Sequence, residues 1–165
     1  MKLLYAYIVC VVIFSLSISA TAQKRSDSKP SKYAPVTKYD PKRDGEADIK
    51  GAVLEAQRTG RRVLVDVGGE WCIWCHILDK FFDQNPKLLE YREQNFVMVK
   101  INYSPENENE KLLSRYPKIA GFPHLFVLDG DGKLIHSQDT AELEEGKSYN
   151  VEKVSTFLRK WASQK

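Results

Sequence analysis

Val63-Leu64-Val65-Asp66-Val67-Gly68-Gly69-Glu70-Trp71-Cys72-Ile73-Trp74-Cys75-His76 runs from a short β-branched segment into a helical pattern, with two cysteines at the junction. Two thiols three residues apart at a helix N-terminus can close a small disulfide. The helix dipole and its free N–H groups favour the first sulfur as thiolate, the form that attacks a foreign disulfide. Cys72 is therefore read as the exposed attacking thiol. Cys75 is the shielded thiol, near enough to release a mixed disulfide. The same residues also spell the C-x-x-C-H of covalent haem attachment, and a structural disulfide or part of a metal site is the third reading.

The rest of the chain narrows these readings. Its 165 residues suffice for one domain, and 42% hydrophobic with 28% charged residues is an ordinary globular balance. Removing residues 1–22 takes the formal charge from +3 to +2, 24 basic residues against 22 acidic, which gives no case for a nucleic-acid partner. Of three cysteines, Cys10 lies in the N-terminal apolar segment. A framework of several disulfides and a zinc site needing three or four cysteines are excluded. His76, His124 and His136 fit no zinc-finger spacing, so no metal is expected.

Residues 1–22 read as a cleaved signal peptide, with Lys2, an apolar stretch from Leu3 to Ile18, and Ala20-Thr21-Ala22 as the cleavage site. The chain is accordingly expected to be exported, periplasmic or secreted. Residues 23–43 are rich in Lys, Ser and Pro and read as a flexible N-terminal arm. Whether Tyr33, Val36 and Tyr39 dock on the domain stays open at this point.

The folded domain is expected over residues 44–165. Ile49, Ala52, Val53 and Ala56 define an amphipathic helix stopped at Gly60, and Arg62 to Val67 a strand. After the cysteines, Trp74, Ile77, Leu78, Phe81 and Phe82 form one stripe, with His76, Asp79, Lys80 and Asp83 opposite. Asn85-Pro86 breaks that helix and caps the next. Phe96 to Ile101 has the near-continuous apolar pattern of a strand covered on both faces. A helix is expected from Ser104 to about Tyr116, then a strand from His124 to Leu128. Asp129-Gly130-Asp131-Gly132 makes a hairpin turn into Leu134 to Ser137. Asn150 caps a last helix with Val151, Val154, Phe157, Leu158 and Trp161 inward. This order implies an α/β fold with a central mixed sheet flanked by helices on both faces.

Asp66 and Lys100 each interrupt an apolar strand, and an unpaired buried charge is costly. Adjacent strands would let them face each other, leaving a carboxylate that exchanges a proton with Cys75. A proline entering a strand, as in Gly121-Phe122-Pro123, needs a special geometry, of which a cis peptide is one.

Taken together, Val65-Asp66, Glu70-Trp71-Cys72, Cys75, Lys100-Ile101-Asn102, Gly121-Phe122-Pro123, the Gly132 hairpin and the final helix resemble the thioredoxin superfamily over about residues 44–165. The likeness is to exported thioredoxin-like proteins and the soluble domain of thiol:disulfide interchange proteins. It implies a thioredoxin fold, Cys72 as nucleophile, Cys75 as resolving thiol, and Asp66 with Lys100 as a buried proton-handling pair. Trp71, Phe122 and Pro123 would form the substrate-binding surface. It further implies a protein-disulfide oxidoreductase without cofactor, acting as a monomer on proteins with disulfides or thiols, with a membrane thiol:disulfide electron donor as a further partner. The reductive direction is favoured. A redox-inert binding module or chaperone on the same fold is the alternative. Ile73-Trp74, Gly68-Gly69 and His124 depart from the family pattern, and His76 falls on the polar helical face, against haem attachment.

Overall fold

The computed structural model describes residues 33–163; the signal-peptide reading of residues 1–22 lies outside them. Helix α1 (Gly45–Thr59) starts where Asp44 accepts hydrogen bonds from the Glu46 and Ala47 amides, and ends at Gly60 in the left-handed conformation. Strand β1 (Arg62–Gly68) leads to α2 (Ile73–Gln84) and α3 (Pro86–Asn95). Then come β2 (Phe96–Asn102), the four-residue α4 (Glu110–Leu113), β3 (His124–Leu128), β4 (Leu134–Asp139) and finally α5 (Val151–Trp161).

The sheet order is β2-β1-β3-β4, with β1 parallel to β2 and antiparallel to β3, and β3 antiparallel to β4. Alternation along the strands divides the core in two. Val63, Val65 and Val67 join Val97, Val99, Ile101 and Phe126 against α1 and α4. Leu64, Phe96, Leu125 and Val127 meet Leu78, Phe81 and Phe82 of α2 and Val154, Phe157 and Leu158 of α5. Asp66, in phase with Leu64, therefore lies on the face covered by α2, the helix that carries the cysteines.

Three local expectations are corrected, and one stretch without an expectation is filled. The segment after Ser104 is not helical until Glu110: Ser104 and Asn107 pair backbone to backbone, Asn102 binds the Asn107 carbonyl, and Asn109 takes a left-handed φ of 49°. Side-chain amides compete there with helical hydrogen bonding. Asn85 is the N-cap residue of α3, with Pro86 next and its carbonyl accepting from the Leu88 and Leu89 amides, but its side chain does not cap: Nδ2 donates back to the Phe81 carbonyl of α2. Between β4 and α5 stand a 3-10 turn (Thr140–Leu143) and a two-stranded ribbon, β5 (Glu144–Glu145) with β6 (Ser148–Tyr149). Val151, at the first turn of α5, is exposed.

The arm read over residues 23–43 is packed on the domain from Tyr33 onward. Val36 bridges Val99 in parallel, the Lys100 amide donates to the Val36 carbonyl, and Tyr33 donates to the Met98 carbonyl. Val36 and Tyr39 are buried. Val36→Ala removes two methyl groups from this contact and should cost about 2 kcal/mol. A fall in the urea midpoint with unchanged slope checks it; an unchanged midpoint would show that the docked segment adds nothing to stability.

Candidate functional site

The site is assembled at the C-terminal end of β1. Cys72 is the N-cap of α2, and its Sγ accepts a hydrogen bond from the Cys75 amide at 3.1 Å. In the reduced protein, charge on that sulfur would be met by this N–H, which it shares with the Cys72 carbonyl, and by the helix dipole. The two cysteines are joined in a disulfide, with Cα atoms 5.3 Å apart. Cys75 is 0% and Cys72 3% exposed, so the expected contrast in exposure is small. What distinguishes the two sulfurs is the capping hydrogen bond, which only Cys72 receives.

The β1–β2 register sets Asp66 directly opposite Lys100. Lys100 Nζ lies 2.9 Å from Asp66 Oδ2 and 2.9 Å from an oxygen of Asp79 on α2. Asp66 is 1% and Lys100 7% exposed, so both ions are withdrawn from water. Burial alone would lower the Lys100 pKa, but the two carboxylates outweigh it and hold the ammonium above its ordinary value. The Tyr39 hydroxyl donates to Asp66 Oδ1 at 2.7 Å, and Lys100 Nζ sits 4.2 Å from the centre of the Tyr39 ring. Each Asp66 oxygen thus has its own donor.

Two glycines make room for this arrangement. A Cβ on Gly68 would lie 2.5 Å from Cys75 Sγ and 3.0 Å from the end of the Tyr39 ring. A Cβ on Gly69 would collide with the Trp71 indole, whose Nε1 donates to the Tyr103 carbonyl at 2.7 Å. Trp71 is 54% exposed, meets Phe122 edge-on with centroids 5.6 Å apart, and Phe122 in turn stacks on Tyr103 at 4.7 Å. The Phe122–Pro123 peptide is cis. Because His124 pairs with Val67, this turn emerges beside the end of β1, and Phe122 packs against the cluster of Tyr39, Cys72 and Cys75. Thr140, in the 3-10 turn, donates to the Pro123 carbonyl at 2.6 Å.

All seven residues named from sequence are placed around this end of β1. Tyr39, Gly68, Asp79 and Thr140 were not assigned to the site. Asp79 carried a usable signal, one helical turn beyond Cys75. His124, buried just after Pro123, bonds Ser137 through Nε2 at 2.8 Å, and burial lowers its pKa. His76 is exposed, with Nε2 2.8 Å from the Glu70 carbonyl oxygen.

A family profile described as thioredoxin-like matches residues 44–130, more than half of the chain. The chain belongs to the thioredoxin-like family. It is 29% identical over 117 residues to the thiol:disulfide interchange protein DsbD of Pseudomonas fluorescens, covering 70% of this chain but 18% of that protein. It is 29% identical over 76 residues to the disulfide bond reductase DsbH of Chlamydia pneumoniae, covering 41% of this chain and 45% of the relative. The chain thus spans less than half the length of either relative. Among solved structures, a disulphide isomerase of Xylella fastidiosa superposes with a TM-score of 0.64 at 27% identity, covering 74% of this chain and 94% of that one. The four-stranded mixed sheet with surrounding helices is the thioredoxin fold.

Two outcomes follow from the packing. Gly68→Ala should destabilise the protein by about 1–3 kcal/mol, since neither the sulfur nor the buried phenol can yield cheaply; a thermal scan reads the loss, and an unaltered Tm would mean the slot is wider than described. Lys100→Met should cost about 3–5 kcal/mol at neutral pH by stranding the Asp66 charge. A urea titration at pH 7 reads the loss; an unchanged midpoint would contradict it.

Proposed function

We propose that this protein is a thiol–disulfide oxidoreductase that reduces disulfides in partner proteins through a mixed disulfide on Cys72. The observation that carries the reading is the N-cap position of Cys72, its sulfur accepting the Cys75 amide beside a buried carboxylate. The relatives' names point to the same chemistry.

The reaction divides into two exchanges. Cys72 thiolate attacks one sulfur of the substrate disulfide; the electron pair leaves on the other sulfur, which takes a proton from water. Cys75 then loses its proton and attacks Cys72 Sγ. The Cys72–Cys75 bond forms, the bond to the substrate breaks, and the second substrate sulfur leaves as thiolate and is protonated. The protein dithiol is oxidised by two electrons and the substrate disulfide reduced by two. Asp66, paired with Lys100 at 2.9 Å, is the base for Cys75. Trp71, Phe122 and Pro123 line the surface that receives the substrate segment around its cysteine. Haem attachment at the same motif has no support from His76, whose ring nitrogen is engaged by Glu70.

A reductive role predicts a potential nearer thioredoxin's roughly −270 mV than the roughly −120 mV of a strong oxidant. A membrane thiol:disulfide protein would recharge the dithiol, and the protein would act as a monomer. The sequence of residues 1–22 supports export with cleavage after Ala22, which mass spectrometry would register as an N-terminus at Gln23.

Cys75→Ser should accumulate protein mixed disulfides on Cys72, and Cys72→Ser almost none; non-reducing gels after acid trapping compare them. The reverse pattern would exchange the roles. Absence of insulin reduction by the unsubstituted protein in dithiothreitol would favour a redox-inert binding module instead.

A further inference from the structure

Tyr39 lies outside the stretch matched by the family profile, yet it is 3% exposed and packs directly with Cys72 and Cys75. It is a buried phenol that the exchange steps above do not use. We propose that Tyr39 is a positioning residue of the redox site, its hydroxyl linking Cys75 to Asp66 and carrying the proton between them as the mixed disulfide is resolved. This inference rests on the redox reading of Cys72 and Cys75.

The geometry begins at Gly68. The Cβ it lacks would lie 2.5 Å from Cys75 Sγ and 3.0 Å from both Cζ and the hydroxyl oxygen of Tyr39, so sulfur and phenol occupy adjoining space over one glycine. The same hydroxyl is 2.7 Å from Asp66 Oδ1. Asp66 and Gly68 stand two residues apart on one face of β1, roughly 6.5 Å along the strand. The phenol spans that interval. Cys75, Asp66 and Tyr39 are all nearly inaccessible to solvent, so a proton leaving Cys75 needs a fixed carrier. A phenolic hydroxyl donates and accepts at once. It passes its own proton to Asp66 Oδ1 while taking the proton of Cys75, and is neutral before and after. Burial, reinforced by the Asp66 charge, raises the Tyr39 pKa well above its ordinary value, which keeps the phenol protonated at working pH. The proton held on Asp66 is later released to solvent.

Tyr39→Phe keeps the ring that packs on the sulfurs and under Lys100 and removes only the hydroxyl. Reduced mature protein, beginning at Gln23 and so without Cys10, is mixed with glutathione disulfide, quenched with acid, and the glutathionylated form is followed by mass. Attack by Cys72 should stay within about twofold of the parent, while resolution by Cys75 at pH 7 slows about tenfold or more, as expected for a lost general-base path. The deficit should shrink toward pH 10 as Cys75 ionises unaided. Combined with Asp66→Asn, the substitution should add less than about twofold, because the two act in series. An unchanged resolution rate, or an equal slowing at every pH and in the Asp66→Asn background, would overturn the proposal. Should Tyr39→Phe fold poorly, the resolution rate of the unsubstituted protein in mixtures of light and heavy water decides. A curved dependence on deuterium fraction supports two protons in flight, and a straight line overturns the relay. If the unsubstituted protein forms no glutathionylated intermediate, the redox reading itself falls and this inference with it.

Discussion

A carboxylate and an ammonium are buried side by side in the sheet, and most of the site follows from keeping them satisfied. Removing each ion from water costs several kcal/mol, offset only with close geometry and complete hydrogen bonding. The parallel register of β1 and β2 supplies the closeness by setting Asp66 against Lys100. The remaining partners come from two separate places: the Asp79 carboxylate from α2, and Tyr39 from the N-terminal segment, which gives its hydroxyl to Asp66 and its ring face to the ammonium. Loss of the Lys100 ammonium or the Tyr39 hydroxyl strands a charge or a lone pair in a dry interior.

The same constraint shapes the chemistry above it. The proposed exchange needs a neighbour able to take and return a proton, and the only fully buried carboxylate among the described residues is two positions from Gly68 on the same face. Lys100 pairs with that carboxylate at 2.9 Å; the helix N-cap serves the other sulfur. Two thiols three residues apart thus meet different electrostatic surroundings, the asymmetry an exchange reaction requires.

Much of this was legible in the chain because charge inside an apolar run is conspicuous. Asp66 and Lys100 announce themselves in Val63–Val67 and Phe96–Ile101, and the two cysteines mark the strand-to-helix junction. Other features left weaker traces. Tyr39 sits in a polar, proline-bearing segment whose composition suits a free arm, and only the Tyr33, Val36, Tyr39 spacing hinted at docking. Gly68 reads as a loop glycine; its purpose depends on a sulfur arriving from another element. Ser104-Pro105-Glu106 carries a helix-start signal, but Asn102 before it and Asn107 after it took the backbone hydrogen bonds. The β5–β6 ribbon, two residues on each side, is too short for a periodicity, yet the turn before it anchors the Pro123 carbonyl through Thr140.

The bridge between Val36 and Val99 has a further meaning for life at high concentration. Strand β2 ends the sheet, and a nearly continuous apolar strand with unpaired backbone groups on its outer side is a template for pairing with another chain. Val36 accepts from the Lys100 amide, and Tyr33 closes the Met98 carbonyl. The segment that completes the charge network therefore also blunts a sticky border, so a change that loosens it would expose a buried ion pair and an aggregation-prone edge together.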